Sequence, residues 1–110
     1  MFEKDLRIAY LLDFYGDVLT ERKKEVLDMY YNEDLSLAEI AEQIGISRQG
    51  VRDLIKKAED ELLFLEEKLG LAKRMSALKK HSDNMLSIVE STSLPDSLVV
   101  EIEEIAKIIK

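Results

Sequence analysis

Apolar side chains recur at spacings of three and four residues almost throughout the chain, and no stretch alternates cleanly between apolar and polar. That is the period of helices, so the sequence predicts an all-α protein. Helix one is expected over about 2–15, on Phe2, Leu6, Ala9, Tyr10 and Phe14, with Gly16 as its stop. Thr20 is the expected N-cap of helix two, which carries Val26, Leu27, Tyr30 and Tyr31 and ends in Asn32-Glu33-Asp34. Ser36, with Glu39 three residues on, gives the capping-box pattern for a short helix three that stops at Gly45. Ser47 caps helix four, which meets no breaker before Gly70 and so spans about 48–69, roughly 33 Å. Its seam is Val51, Ile55, Ala58, Leu62, Leu65 and Leu69. Helix five is expected at about 71–91. After the break at Ser91-Thr92-Ser93-Leu94-Pro95, Asp96 or Ser97 caps a last helix.

The stretch from Leu37 to Lys56 has helix-turn-helix spacing. Ala41 is small where the second helix crosses the first. Gly45 can take the left-handed conformation that a sharp turn requires. Ile40, Ile44, Ile46, Val51 and Leu54 are the expected core between the two helices, and Ser47 aims the second helix outward. The architecture expected is therefore a helix-turn-helix domain without a wing over 1–70, including a long recognition helix, followed by a C-terminal helical segment, 71–110, for dimerisation or packing.

In such a fold the second helix reads the DNA major groove with its N-terminal residues. Here they are Ser47, Arg48, Gln49, Arg52 and Lys56, with Asp53 among them. Arginine can pair bidentately with guanine and glutamine with adenine. Arg22, Lys23 and Lys24 are candidates for added phosphate contacts, provided the fold brings them near. The competing reading is that all of these are solvated charges on helix faces.

Composition sharpens that contest. The chain has 110 residues, 23 acids against 16 bases, a net charge of −7, no Cys and one His. An acidic protein repels polyphosphate at long range. Yet Ser47–Lys57 holds four bases and one acid, a local +3, so a local, salt-sensitive contact survives. The absence of Cys removes disulfides and thiolate metal sites, and a single His removes multi-histidine sites. No metal, cofactor or catalytic residue is expected, and the chain does not read as an enzyme. His81 sits in a polar stretch without a nucleophile elbow. No apolar run approaches the ~18 residues of a membrane span, and the N-terminus lacks a signal-peptide core, so a cytoplasmic protein is expected.

From about Leu19 to Leu65 the sequence resembles the fourth region of bacterial sigma factors, through Leu37-Ala-Glu-Ile-Ala, Gly45-Ile-Ser-Arg and Val51-Arg. The whole chain is similar to the YlxM-type proteins of Gram-positive bacteria. The residues that carry this are Leu11-Leu12-Asp13-Phe14-Tyr15-Gly16, Leu19-Thr20, Asp28, Tyr30-Tyr31, Asp34 to Ala41 and Ser47-Arg48-Gln49-Gly50-Val51. The sigma-factor resemblance implies DNA-contact geometry for Arg48, Gln49, Arg52 and Lys56. The YlxM resemblance implies a small helix-turn-helix protein encoded beside the signal recognition particle GTPase and its receptor. A regulatory role in that pathway follows from it. The alternative is a scaffold that binds a signal recognition particle protein or RNA.

Two further features remain. Lys73-Arg74 and Lys79-Lys80 form a second basic cluster on helix five, suited to RNA or another anionic partner or else simply solvated. Leu62, Leu65 and Leu69 lie beyond a helix-turn-helix core, and Val99, Val100, Ile102, Ile105, Ile108 and Ile109 form a broad apolar face on the last helix. The expectation is a homodimer built after residue 58, against the alternative of a tail folded back within one chain.

Overall fold

The computed structural model describes residues 4–109. Among them, α1 spans Leu6–Tyr15, α2 Glu21–Leu27, α3 Leu37–Ile44, α4 Arg48–Leu69, α5 Leu71–Ser91 and α6 Asp96–Ile109. A 3-10 turn at Gly16–Val18 follows α1, and a π turn at Asp28–Asn32 extends α2. The described residues contain no strand. This is the all-α helix-turn-helix fold. No described helix is long and apolar enough to cross a membrane. The chain divides into two compact units, Met1–Gly70 and Leu71–Lys110.

Local chemistry sets most of the ends. Thr20 accepts from the Lys23 backbone N–H at 3.4 Å and opens α2. Ser36 and Glu39 form the full capping box: the Glu39 N–H donates to Ser36 Oγ at 3.1 Å, and the Ser36 N–H donates to Glu39 Oε1 at 3.0 Å. Gly45 takes a left-handed φ of 76° and its N–H closes α3 on the Ala41 carbonyl at 2.9 Å. Ser47 Oγ accepts from the Gly50 N–H at 3.0 Å and starts α4.

The N-terminal helix differs from its sequence reading. It begins at Leu6, because Asp5 caps it by accepting from the Arg7 N–H at 2.9 Å; Phe2 lies outside the described residues. Its inward stripe is Ile8, Leu11, Leu12 and Tyr15, whereas Leu6 is 83% exposed and Tyr10 is also exposed. Two stripes of helical period share this segment, and packing selects the one that faces α4. There the Tyr15 hydroxyl donates to Glu66 at 2.6 Å. Gly16 does end α1, as its C-cap, with its N–H donating to the Leu12 carbonyl. It keeps a right-handed φ of −54° and enters the 3-10 turn, buried against the Leu12 side chain.

Val26, Leu27, Ile40, Val51, Ile55 and Leu62 are the largest fully buried side chains. Ile46, expected inside, is 40% exposed and lies over Gly50 instead. Along α4 the seam is buried at Val51, Ile55, Ala58 and Leu62, half-buried at Leu65 and exposed at Leu69. Tyr30 is core; Tyr31 is half-buried, and its hydroxyl donates to Glu59. The second unit is a pair of antiparallel helices in which Ser82 and Leu86 of α5 face Ala106 and Ile109 of α6. Neither Asp96 nor Ser97 caps α6: Asp96 is already its first residue, and Pro95 stands before it with its carbonyl accepting from the Leu98 and Val99 N–H groups.

Candidate nucleic-acid interface

The turn between α3 and α4 positions the candidate reading surface. Gly45 reverses the chain at a φ of 76° without penalty, because it has no Cβ to crowd its own backbone there. Ser47 then fixes the first turn of α4. A Cβ on Gly50 would stand 3.2 Å from Ser47 Oγ and 3.4 Å from Ile46 Cδ1, so the missing side chain leaves room for the cap itself.

This end of α4 exposes Arg48, Gln49, Arg52, Asp53 and Lys56. They are not equivalent. Gln49 Nε2 donates to Asp53 Oδ1 at 2.9 Å one turn on, and Lys56 pairs with Asp60 at 3.0 Å. The local +3 of the sequence is therefore partly met by acids on the same helix. Both partners of the Lys56–Asp60 pair are more than half exposed. Such pairs hold about 0–1 kcal/mol and yield readily to a phosphate. Ser47 commits its side-chain oxygen to the cap.

The basic triplet of α2 lies elsewhere. Lys23 pairs with Glu61 at 2.8 Å, and Lys24 with Asp17 at 2.6 Å, while Arg22 is exposed beside them. Glu61 stands about 20 Å along α4 from Arg48 at 1.5 Å per residue. Arg48, Gln49 and Arg52 thus come together at one end, and Lys23 and Lys24 do not join them. The Asp17 carboxyl is held below its usual range by Lys24, chiefly through their hydrogen bond.

A cation that the sequence did not single out does reach the reading end. Lys4 and Arg48 rim a groove of about 430 Å³ floored by Tyr30, Leu35, Leu37 and Ala38. Lys4 Nζ sits 4.5 Å from the Tyr30 ring centroid and pairs with Asp34, which adopts a left-handed φ of 55°. Thirty residues separate Lys4 from Asp34, so no local motif could have announced the contact. The Glu39 carboxyl nearby is held below its ordinary value, first by the Ser36 backbone N–H and then by the Ser36 hydroxyl.

Comparison with known proteins accords with this geometry. A family model described as "Putative helix-turn-helix protein, YlxM / p13 like" matches residues 2–106. A UPF0122 protein of Thermoanaerobacter sp. is 43% identical over 105 residues, covering 93% of this chain and 90% of the relative. One from Acetivibrio thermocellus is 44% identical over 108 residues, covering 98% and 89%. One from Caldanaerobacter subterraneus is 52% identical over 75 residues, covering 68% and 64%.

Proposed function

The chain belongs to the YlxM/p13-like helix-turn-helix family, and from that membership we propose that it is a DNA-binding regulatory protein that reads duplex DNA with the N-terminal end of α4. The observation that carries the reading is the capped end of α4, where Arg48 and Arg52 are exposed on a turn that Ser47 orients. Arg48, Gln49, Arg52 and Lys56 are the proposed contacts, with Lys56 and Gln49 exchanging their acidic neighbours for DNA. Arg22, Lys23 and Lys24 are left to secondary phosphate contacts, because Lys23 and Lys24 must first leave their carboxylates.

The functional unit proposed is a homodimer formed through residues 71–110. What supports it is the poverty of that unit's own core. Among its described residues only Ala72, Ser82 and Ile102 are buried, while Leu98, Val100, Ile105 and Ile108 are exposed. Units of about 40 residues rarely stand without oligomerisation or cross-links. A dimer also doubles an otherwise sparse set of cations. Light scattering at micromolar concentration should give twice the 12.7 kDa chain mass; a clean monomer mass refutes the dimer.

A second reading, the helix-turn-helix as a scaffold for a signal recognition particle component in the cytoplasm, is favoured by one observation. Asp53 and Asp60 dilute the cationic surface and suit a basic protein partner better than bare DNA. Fluorescence anisotropy with duplex DNA at ~50 mM salt separates the two. DNA reading predicts salt-sensitive binding weakened by about 1–3 kcal/mol for each of Arg48→Ala and Arg52→Ala. Retention of the particle's GTPase by the Arg52→Ala protein, with no DNA bound by the wild type, favours the scaffold.

A further inference from the structure

The charge distribution of the chain holds a second pattern outside the reading helix. In a sequence with 23 acids, the two longest stretches without one are 43–52 and 68–82. The first contains Arg48 and Arg52. The second includes the N-terminal half of α5, with Lys73, Arg74, Lys79, Lys80 and His81. All five are exposed.

Their placement on the helix is not uniform. Ala72 and Ser82 are buried and Met75, Met85, Leu86 and Val89 half-buried, which defines one seam along α5. Ser82 and Leu86 on that seam face Ala106 and Ile109 of α6. At 100° per residue, Lys73, Lys80 and His81 fall on the opposite side, around Ala77, and Arg74 lies at its margin beside Met85. Lys79 lies near the seam and is occupied by Asp83 at 3.4 Å. The outward face is therefore a cationic strip two turns long, about 10 Å between Lys73 and Lys80.

We propose that this outward face of α5 is a second docking surface, for the phosphate backbone of duplex DNA. The inference rests on the DNA reading of α4 and supplies what that reading lacks. The end of α4 offers Arg48 and Arg52 together with a Lys56 shared with Asp60. Proteins that hold DNA firmly neutralise about 6–10 phosphates, and the net charge of this one is −7. A sequence-independent cationic strip closes that gap, and its lysines and arginine need no base-specific geometry. Two copies of the chain present it twice.

The test is the salt dependence of binding by the full chain to a mixed-sequence DNA duplex, between ~50 and 200 mM salt. In a Lys73→Gln, Arg74→Gln, Lys80→Gln triple variant the log–log slope should fall by about 2.7 per chain. The affinity lost across that range should then be about 40-fold smaller than in the wild type. Ala77→Glu, which keeps every cation and places an acid at the centre of the strip, should weaken binding and leave the circular-dichroism melt unchanged. An unchanged slope in the triple variant, with the wild type bound, overturns this inference alone. A wild type that binds no duplex overturns the α4 reading and this inference with it. A triple variant that loses a mixed-sequence RNA duplex while keeping its DNA slope assigns the strip to RNA and overturns the proposal.

Discussion

Replacing Gly45 by alanine isolates one term in the energetics of the helix-turn-helix. The residue has φ +76°, and a Cβ built on it meets nothing within 4 Å. The cost of Gly45→Ala is therefore torsional rather than steric. An L-residue held in the left-handed region pays roughly 1–2 kcal/mol. Against this, alanine is less free than glycine in the unfolded chain, an offset of about 0.4–1 kcal/mol. The net loss should be about 0.8 kcal/mol, within bounds of roughly 0–1.6 kcal/mol. With a urea m-value of about 1.5 kcal/mol/M, the midpoint falls by roughly 0.5 M, and by no more than about 1 M, at unchanged slope. Urea unfolding followed by far-UV circular dichroism measures it. The order across substitutions is as informative as the size. Asparagine tolerates the left-handed region and should recover much of the loss, whereas valine should do worse than alanine. An alanine variant more stable than the wild type, or an asparagine variant worse than alanine, refutes the torsional account.

Ile55 is fully buried on α4, so Ile55→Ala should cost about 2–5 kcal/mol through lost burial and the cavity left behind, read by the same unfolding assay. Burial, helped by the hydrogen bond to Glu59, pushes the Tyr31 hydroxyl well above the ordinary tyrosine range. A folded-state value raised above the unfolded one means stability fully present below about pH 10 and lost as pH climbs beyond it. Stability should therefore fall on the alkaline side of pH 10, and Tyr31→Phe should flatten that limb; an identical limb in the variant refutes the assignment.

The fold was largely legible in the chain because its signals are local. The Ser36–Glu39 capping box, the turn glycine at 45 and the Ser47 cap each act within a few residues. The face of α1 was not legible, since Leu6–Tyr10 and Ile8–Leu11–Leu12–Tyr15 both keep helical spacing, and only packing on α4 chooses between them. The same limit governs the candidate site. Arg48, Gln49 and Arg52 follow from their position after the turn. The pairings Lys23–Glu61 and Lys4–Asp34 join residues far apart in sequence, and they decide which cations reach the reading end. Asp53 and Asp60 were visible as charges, but their hold on Gln49 and Lys56 belongs to rotamers that spacing does not specify.

The π turn at Asp28–Asn32, where the Glu33 N–H reaches back to the Asp28 carbonyl at 3.1 Å, is a record of length. Such a turn holds one residue more than an α-helix needs to travel the same path. The surplus is absorbed locally, and Tyr30 still enters the core while Tyr31 reaches Glu59. Deleting one residue here would remove the surplus and restore the ordinary α-helical pitch with the downstream phase kept, whereas the same deletion inside an ordinary helical turn would swing everything beyond it by about 100°. The segment is thus a counter as well as a connector: it keeps the tyrosines and the helix-turn-helix in step with a chain one residue too long.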